Sequence, residues 1–176
     1  MPEAAHVRDF CTSIIPDAIP IQVDCRPLLD KPLKECFTIV PDHIATNGGS
    51  QLIGWAIWEW PGVLIEAEFH TVWKTPDNEI VCLTPNRLMS RNIVFLPDPN
   101  KKYAGRQIDN IRKQLVKDWD VTRMIYIYRR FFEILNKGDL ANQHGEITIS
   151  VKSFREKRTL EKEVANLQRR LEKRYG

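Results

Sequence analysis

Cys36, His70, Thr84 and Glu68 are the residues whose types and order suggest chemistry. A nucleophilic thiol site needs a cysteine that ionises, an imidazole that carries its proton, and a third group that fixes the ring's tautomer and angle. Cys36 opens the stretch "CFTIVPDHIATN", whose apolar spacing at Phe37, Val40 and Ile44 is helical and which ends at Gly48-Gly49. At a helix start, exposed backbone amides favour a thiolate. Pro41 sets a condition: in a helix begun at Cys36 its ring meets the carbonyl of Phe37, so either Pro41 lies in the first turn or Cys36 lies on a loop just before it.

His70 lies in "VLIEAEFHTVW". As a strand this places Glu66, Glu68 and His70 on one face and Ile65, Ala67, Phe69, Thr71 and Trp73 on the other, because side chains alternate along a pleated backbone. A turn centred on Pro76 to Asn78 pairs Thr75 with Glu79, and so Val72 with Cys82 and His70 with Thr84. Cys82 and Thr84 then share the histidine's face, Asp77 sits in the turn tip, and Asn86 follows the strand.

The plain alternatives are a buried hydrophobe for Cys36, a satisfied core histidine for His70, and the wet face of an antiparallel sheet for the two glutamates. Glu66, Glu68 and His70 could also approach a divalent ion. Alternate strand residues stand about 6.5 to 7 Å apart, however, so one ion would need His43 or Cys36 as well. No metal and no cofactor is expected. Trp55, Trp58, Trp60, Phe69 and Trp73 are mostly explained by sheet core, with a substrate wall as the functional alternative.

The elements that must position these residues follow from punctuation and periodicity. "SQLIGWAIWEW", "GVLIEAEFHTVW" and "KTPDNEIVCLTP" read as a three-stranded antiparallel meander turned at Pro61-Gly62 and at Pro76 to Asn78, with "NIVFLPDP" adding a short strand. Residues 1 to 35, with Pro16, Pro20, Pro27 and Pro32, read as an irregular wrapping arm with one strand in "IPIQV". The spacing of Ile108, Ile111 and Leu115, and then of Met124, Ile127, Tyr128, Phe131 and Leu135, predicts two helices between 106 and 137. "GEITISV" alternates like a late strand. In the tail, Leu160, Val164, Leu167 and Leu171 give a seam of barely two heptads, which predicts one amphipathic helix docked on the domain or on a second copy of the chain.

At 176 residues, 43% hydrophobic and 28% charged, the composition fits one soluble α+β domain over 1–150, with 1–35 as its arm, and a basic helical tail over 151–176. No apolar run approaches the roughly 18 to 20 residues of a membrane helix, and the first residues lack an export signal, so a cytoplasmic protein is expected. Four cysteines without a CxxC pair read as free thiols. The net charge of +3 hides a tail with nine Lys/Arg against four Glu. Such a helix is more often solvated than bound to nucleic acid. Lys101, Lys102, Arg106, Arg112 and Lys113 form a second basic cluster, for helix solubility or for an anion at a helix start.

A cysteine opening a helix, then a strand bearing histidine, then a neighbouring strand bearing a polar orienting group resembles the papain-like superfamily in its transglutaminase-like and NlpC-like branches. The resemblance spans about residues 33 to 86. It implies a cysteine-dependent hydrolase or acyl transferase acting on an amide or isopeptide bond of a peptide or protein, with Cys36 as nucleophile and His70 as base then acid. Where that pattern has aspartate before "LTP", this chain has Cys82, so Thr84, Asn86, Glu66 or Glu68 would steer the ring, or the site is degenerate. "GWAIWEWPGVLIEAEFHTVW" with "FLPDP" also looks like bacterial proteins of uncharacterised activity. The competing reading is a non-catalytic protein on the same scaffold, binding a partner through the basic tail and the aromatic face.

Overall fold

The computed structural model describes residues 4–86, 88–143 and 147–176. Among these residues it is an α+β structure with four α-helices, α1 (Ala5–Ile14), α2 (Cys36–Asn47), α3 (Trp119–Leu135) and α4 (Val151–Tyr175). Six strands accompany them, β1 (Ile21–Cys25), β2 (Ser50–Trp60), β3 (Leu64–Lys74), β4 (Ile80–Cys82), β5 (Asn92–Pro97) and β6 (Ile111–Gln114). The chain forms two compact units: one combines the chain up to Trp58 with Ala67–Ala104, the other Glu59–Glu66 with Gly105–Gly176.

In the first unit the strands run in the order β2-β5-β1-β4-β3, and β2 also pairs with β3, so the five close into a small barrel. The sequence predicts an antiparallel sheet, but the barrel is mixed: β1 runs antiparallel to β5 and parallel to β4. No tight turn joins β1 to β4, so nothing local fixes their relative direction. The meander is present, with β4 reduced to three residues. Its 75–79 turn has the expected register, Trp73 opposite Val81 and Lys74 opposite Ile80. The Thr75 amide donates to the Glu79 carbonyl at 2.8 Å, and Asn78 takes the left-handed conformation (φ 67°) that closes such a loop.

Val23, Ala56, Val72, Cys82, Ile93 and Phe95 fill the barrel. Gly54 is required by its closure, since a Cβ there would lie 2.2 Å from the Leu96 carbonyl oxygen and 2.8 Å from Phe95 Cζ.

The amino-terminal segment is more regular than its prolines suggest. Val7, Phe10 and Cys11, spaced three and one apart, are the buried stripe of α1. Helix α2 does begin at Cys36 with Pro41 inside it, against the steric expectation. Thr38 and Ile39 amides both bond the Glu35 carbonyl, and Ile39 and Val40 are buried, so packing offsets a defect of about 3 kcal/mol.

In the second unit Trp60 and Val63 close a tight turn through Pro61 and Gly62, the latter at φ 71°. Only one helix, not two, lies between 106 and 137. Residues 111–114 form β6 instead, with Ile111 exposed and the Leu115 amide bonded to the Val63 carbonyl. Helix α3 starts where Asp118 accepts from the Asp120 amide at 2.7 Å. The late strand expected from "GEITISV" is absent among its described residues, since 147–150 are irregular and Val151 already begins α4. Gly145 and Glu146 lie outside the described residues. The seam of α4, Leu160, Val164, Leu167 and Leu171, is buried with Val121, Met124, Ile127 and Ile134 of α3.

Candidate functional site

The alternation that predicts Glu66, Glu68 and His70 on one face is obeyed, but that face is not a wet one at the histidine. His70 stands on the same side of β3 as Val72, which lines the barrel, and is 6% exposed. Its ring meets Phe95 edge-on, with centroids 6.5 Å apart. Its Nε2 lies 3.3 Å from Cys82 Sγ on the neighbouring strand. Burial pushes the imidazole down to about 4, so the ring is neutral at ordinary pH.

Cys82 in turn stands opposite Cys25 in the parallel β1–β4 pairing, at the last residue of each strand. The two thiols interact: their hydrogen bond lowers Cys25, the half-buried member, and raises the buried Cys82. A thiol both donates and accepts, unlike a carboxylate, which only accepts; Cys82 therefore holds the ring's position without dictating which nitrogen carries its proton.

Cys36 opens α2 and is 4% exposed. Burial pushes its thiol up to about 12, while the amides of Thr71 and Phe37, aimed at the sulfur, act in the opposite sense and the negative charges of Glu68 and Glu35 add to the rise. Thr71 is the residue after His70, so the sulfur faces the backbone of the strand that carries the imidazole. Among the described residues no hydrogen bond joins Cys36 to His70. Phe37 stacks between Phe69 at 4.9 Å and Tyr103 at 4.0 Å, forming an aromatic flank next to the thiol. Burial raises the Tyr103 phenol, and the negative forms of Cys36 and Glu35 raise it further.

The remaining candidates have other partners. Glu68 accepts from Trp58 Nε1 at 2.7 Å. In the second unit Glu66 accepts from Arg112 Nε at 2.5 Å, and Arg112 also donates to Asp109 at 2.9 Å, so this member of the basic cluster is engaged in ion pairs rather than in anion binding at a helix start. Thr84 is buried, and its Oγ1 is a sealed-off side-chain oxygen without a hydrogen-bond partner. Asn86 Oδ1 accepts from the Ser90 amide at 3.3 Å. The contact with His70 that the sequence reading gives to Thr84, Asn86 or a glutamate is made here by Cys82. No group of three His, Cys, Asp or Glu side chains among the described residues is arranged to hold a metal ion.

Sequence reasoning missed Cys25 and Tyr103. Alternation in "IQVDC" does put Cys25 on the side of Val23, the barrel side, but its partner Cys82 depends on a long-range parallel pairing that no local signal sets. The tail's charges are partly committed within the second unit: Arg170 holds Asp120 at 2.6 and 2.9 Å, Arg174 holds Asp118, and Glu163 accepts from Arg123 at 2.6 and 2.9 Å. Among the described residues no helix is long and apolar enough to cross a membrane. No family model matches the chain, and neither a curated protein nor a solved structure does.

Proposed function

We propose that the chain is a cysteine-dependent hydrolase or acyl transferase acting on an amide or isopeptide bond of a peptide or protein in a reducing cytoplasm, on a papain-like scaffold in the broad sense. The observation that carries the reading is the placement of Cys36 at the start of α2 with its sulfur turned toward the Thr71 amide, one residue beyond an imidazole held at Nε2. A ring anchored at Nε2 has Nδ1 as its working nitrogen. In the reaction Nδ1 takes the thiol proton, the sulfur attacks the carbonyl, and the Cys36 amide faces the oxyanion. The ring returns the proton to the departing amine, and water or an acceptor amine then releases the acyl group.

The resting pair is neutral, so substrate binding must bring sulfur and ring together; catalytic hydrogen bonds often close only in the complex. A second reading has specific support. A sealed thiol near 12 and a thiol in place of the orienting carboxylate also suit a scaffold that binds without catalysis, using its aromatic flank. Alkylation of the native protein with iodoacetamide across pH separates the two. The enzyme requires Cys36 to label with an apparent pKa well below 9 once a peptide amide occupies the site, and His70→Ala to abolish that shift. Slow labelling of Cys36 that ignores both peptide and His70→Ala selects the binding scaffold.

A further inference from the structure

We propose that Cys25 and Cys82 form an oxidation-sensitive dithiol, with Cys25 reacting with a hydroperoxide and Cys82 resolving the product as an intramolecular disulfide. The inference stands apart from acyl transfer and needs only the β1–β4 pairing.

Cys25 and Cys82 are registered partners on adjacent parallel strands, so their side chains leave the sheet on the same side. Neighbouring strands lie about 4.7–4.9 Å apart, which falls within the roughly 4.4–6.8 Å between Cα atoms that a disulfide spans. Each cysteine is the last residue of its strand, where the backbone yields more readily than in mid-ladder. Cys25 is half-buried and so within reach of a small peroxide, whereas Cys11, Cys36 and Cys82 are buried. Ionisation follows the same division: the hydrogen bond from Cys82 lowers Cys25, while burial raises Cys11 to about 11 and Cys36 to about 12. An accessible thiolate beside a resolving thiol is the arrangement of a redox-sensing cysteine.

The chemistry balances in two steps. The Cys25 thiolate attacks the terminal peroxide oxygen, the O–O bond breaks, and Cys25 becomes a sulfenic acid as hydroxide, or an alkoxide from an organic hydroperoxide, leaves and takes up the proton that Cys25 released on ionising. Cys82 then attacks the sulfenic sulfur, a second water leaves, and the S–S bond forms. Both sulfurs together lose two electrons, and the peroxide gains them. His70 Nε2, 3.3 Å from Cys82 Sγ, is placed to receive the Cys82 proton and pass it to the departing hydroxide. Reduction by a dithiol restores the pair.

The test treats the reduced full chain with a few equivalents of hydrogen peroxide, alkylates the remaining thiols, and maps peptides by mass spectrometry without reduction. The expected result is a fall from four free thiols to two, with Cys25 joined to Cys82 and both recovered by dithiothreitol. Cys25→Ser slows thiol loss about tenfold or more, because the remaining cysteines are buried thiols. Cys82→Ala stops at a Cys25 sulfenic acid that dimedone traps. Retention of four thiols, a link between any other pair, or oxidation of Cys11 or Cys36 ahead of Cys25 overturns the proposal, and the wild-type peptide map decides it even where a variant does not fold.

Discussion

Replacing Cys82 by aspartate should let the His70 ring take a proton near neutral pH. With the thiol near 12 and the imidazolium near 4, a proton prefers sulfur over ring by about eight powers of ten, roughly 11 kcal/mol at 1.36 kcal/mol for each. A carboxylate in the place of Sγ, with its charge centre about 4 Å from that of the ring, attracts the imidazolium by about 4 kcal/mol at an effective dielectric constant of about 20. That raises the ring by about three powers of ten and multiplies the thiolate–imidazolium population by a similar factor. It also fixes the tautomer, because a carboxylate only accepts and so leaves Nδ1 free to take the proton. The assay is the titration of the His70 ring, followed by NMR in Cys82→Asp, Cys82→Ala and wild type. The expected outcome is a ring whose proton affinity rises by about three powers of ten in Cys82→Asp alone, while Cys36 alkylation at about pH 7 changes by no more than a few-fold, because thiolate formed by simple ionisation already matches the enlarged ion-pair population. A folded Cys82→Asp protein, cooperative in thermal melting, whose ring titrates as in wild type would refute the reasoning. In that case the new carboxyl stays protonated.

Further expectations concern titration, packing and one orphaned hydroxyl. The folded imidazole of His70 is depressed, so the unfolded chain binds the extra proton; its stabilisation is present above 6.5 and lost as pH falls toward 4, by up to about 3 kcal/mol. Urea midpoints measured across that window should therefore slope with pH in wild type and flatten in His70→Gln. Asp118 and Asp120, lowered beside Arg174 and Arg170, lose their contribution only below 3.8, outside this window. Thr84→Val should leave stability unchanged or raise it by about 1 kcal/mol in chemical denaturation, because it removes a buried oxygen without a partner. If instead Thr84 steers the ring, the same variant will change Cys36 labelling. Leu171→Ala, at a fully buried position in the α3–α4 packing, should cost about 2–5 kcal/mol by the same measurement. Gly54→Ala should cost more than about 4 kcal/mol or prevent folding, since its Cβ would overlap the Leu96 carbonyl.

What the sequence disclosed was local. The 75–79 turn could be read because Pro76, Asp77 and Asn78 leave few ways to reverse the chain, and that register alone puts Cys82 beside His70. Helix α2 was readable from its apolar spacing, but its start was obscured by Pro41, a rule that the burial of Ile39 and Val40 overrides. Ile108, Ile111 and Leu115 fit a helical period without forming a helix, because pairing with β3 competes for the same backbone groups. The prolines of residues 1 to 35 read as an irregular arm, but the first of those after the helix start, Pro16, follows α1 instead of interrupting it, and Val7, Phe10 and Cys11 form its buried stripe. The parallel β1–β4 pairing, and with it the Cys25–Cys82 contact, had no local signature at all.

The packing of α4 on α3 has a consequence for vectorial synthesis. All five barrel strands lie at or before Pro97, so once that residue has cleared the ribosome's exit tunnel the ring can close while translation continues. The other unit must wait until Leu171 appears, and for that interval Val63, Leu64, Met124 and Ile127 lack the leucines that cover them. A nascent chain of this protein thus carries one finished half and one greasy, unfinished half, which is the species a chaperone would meet.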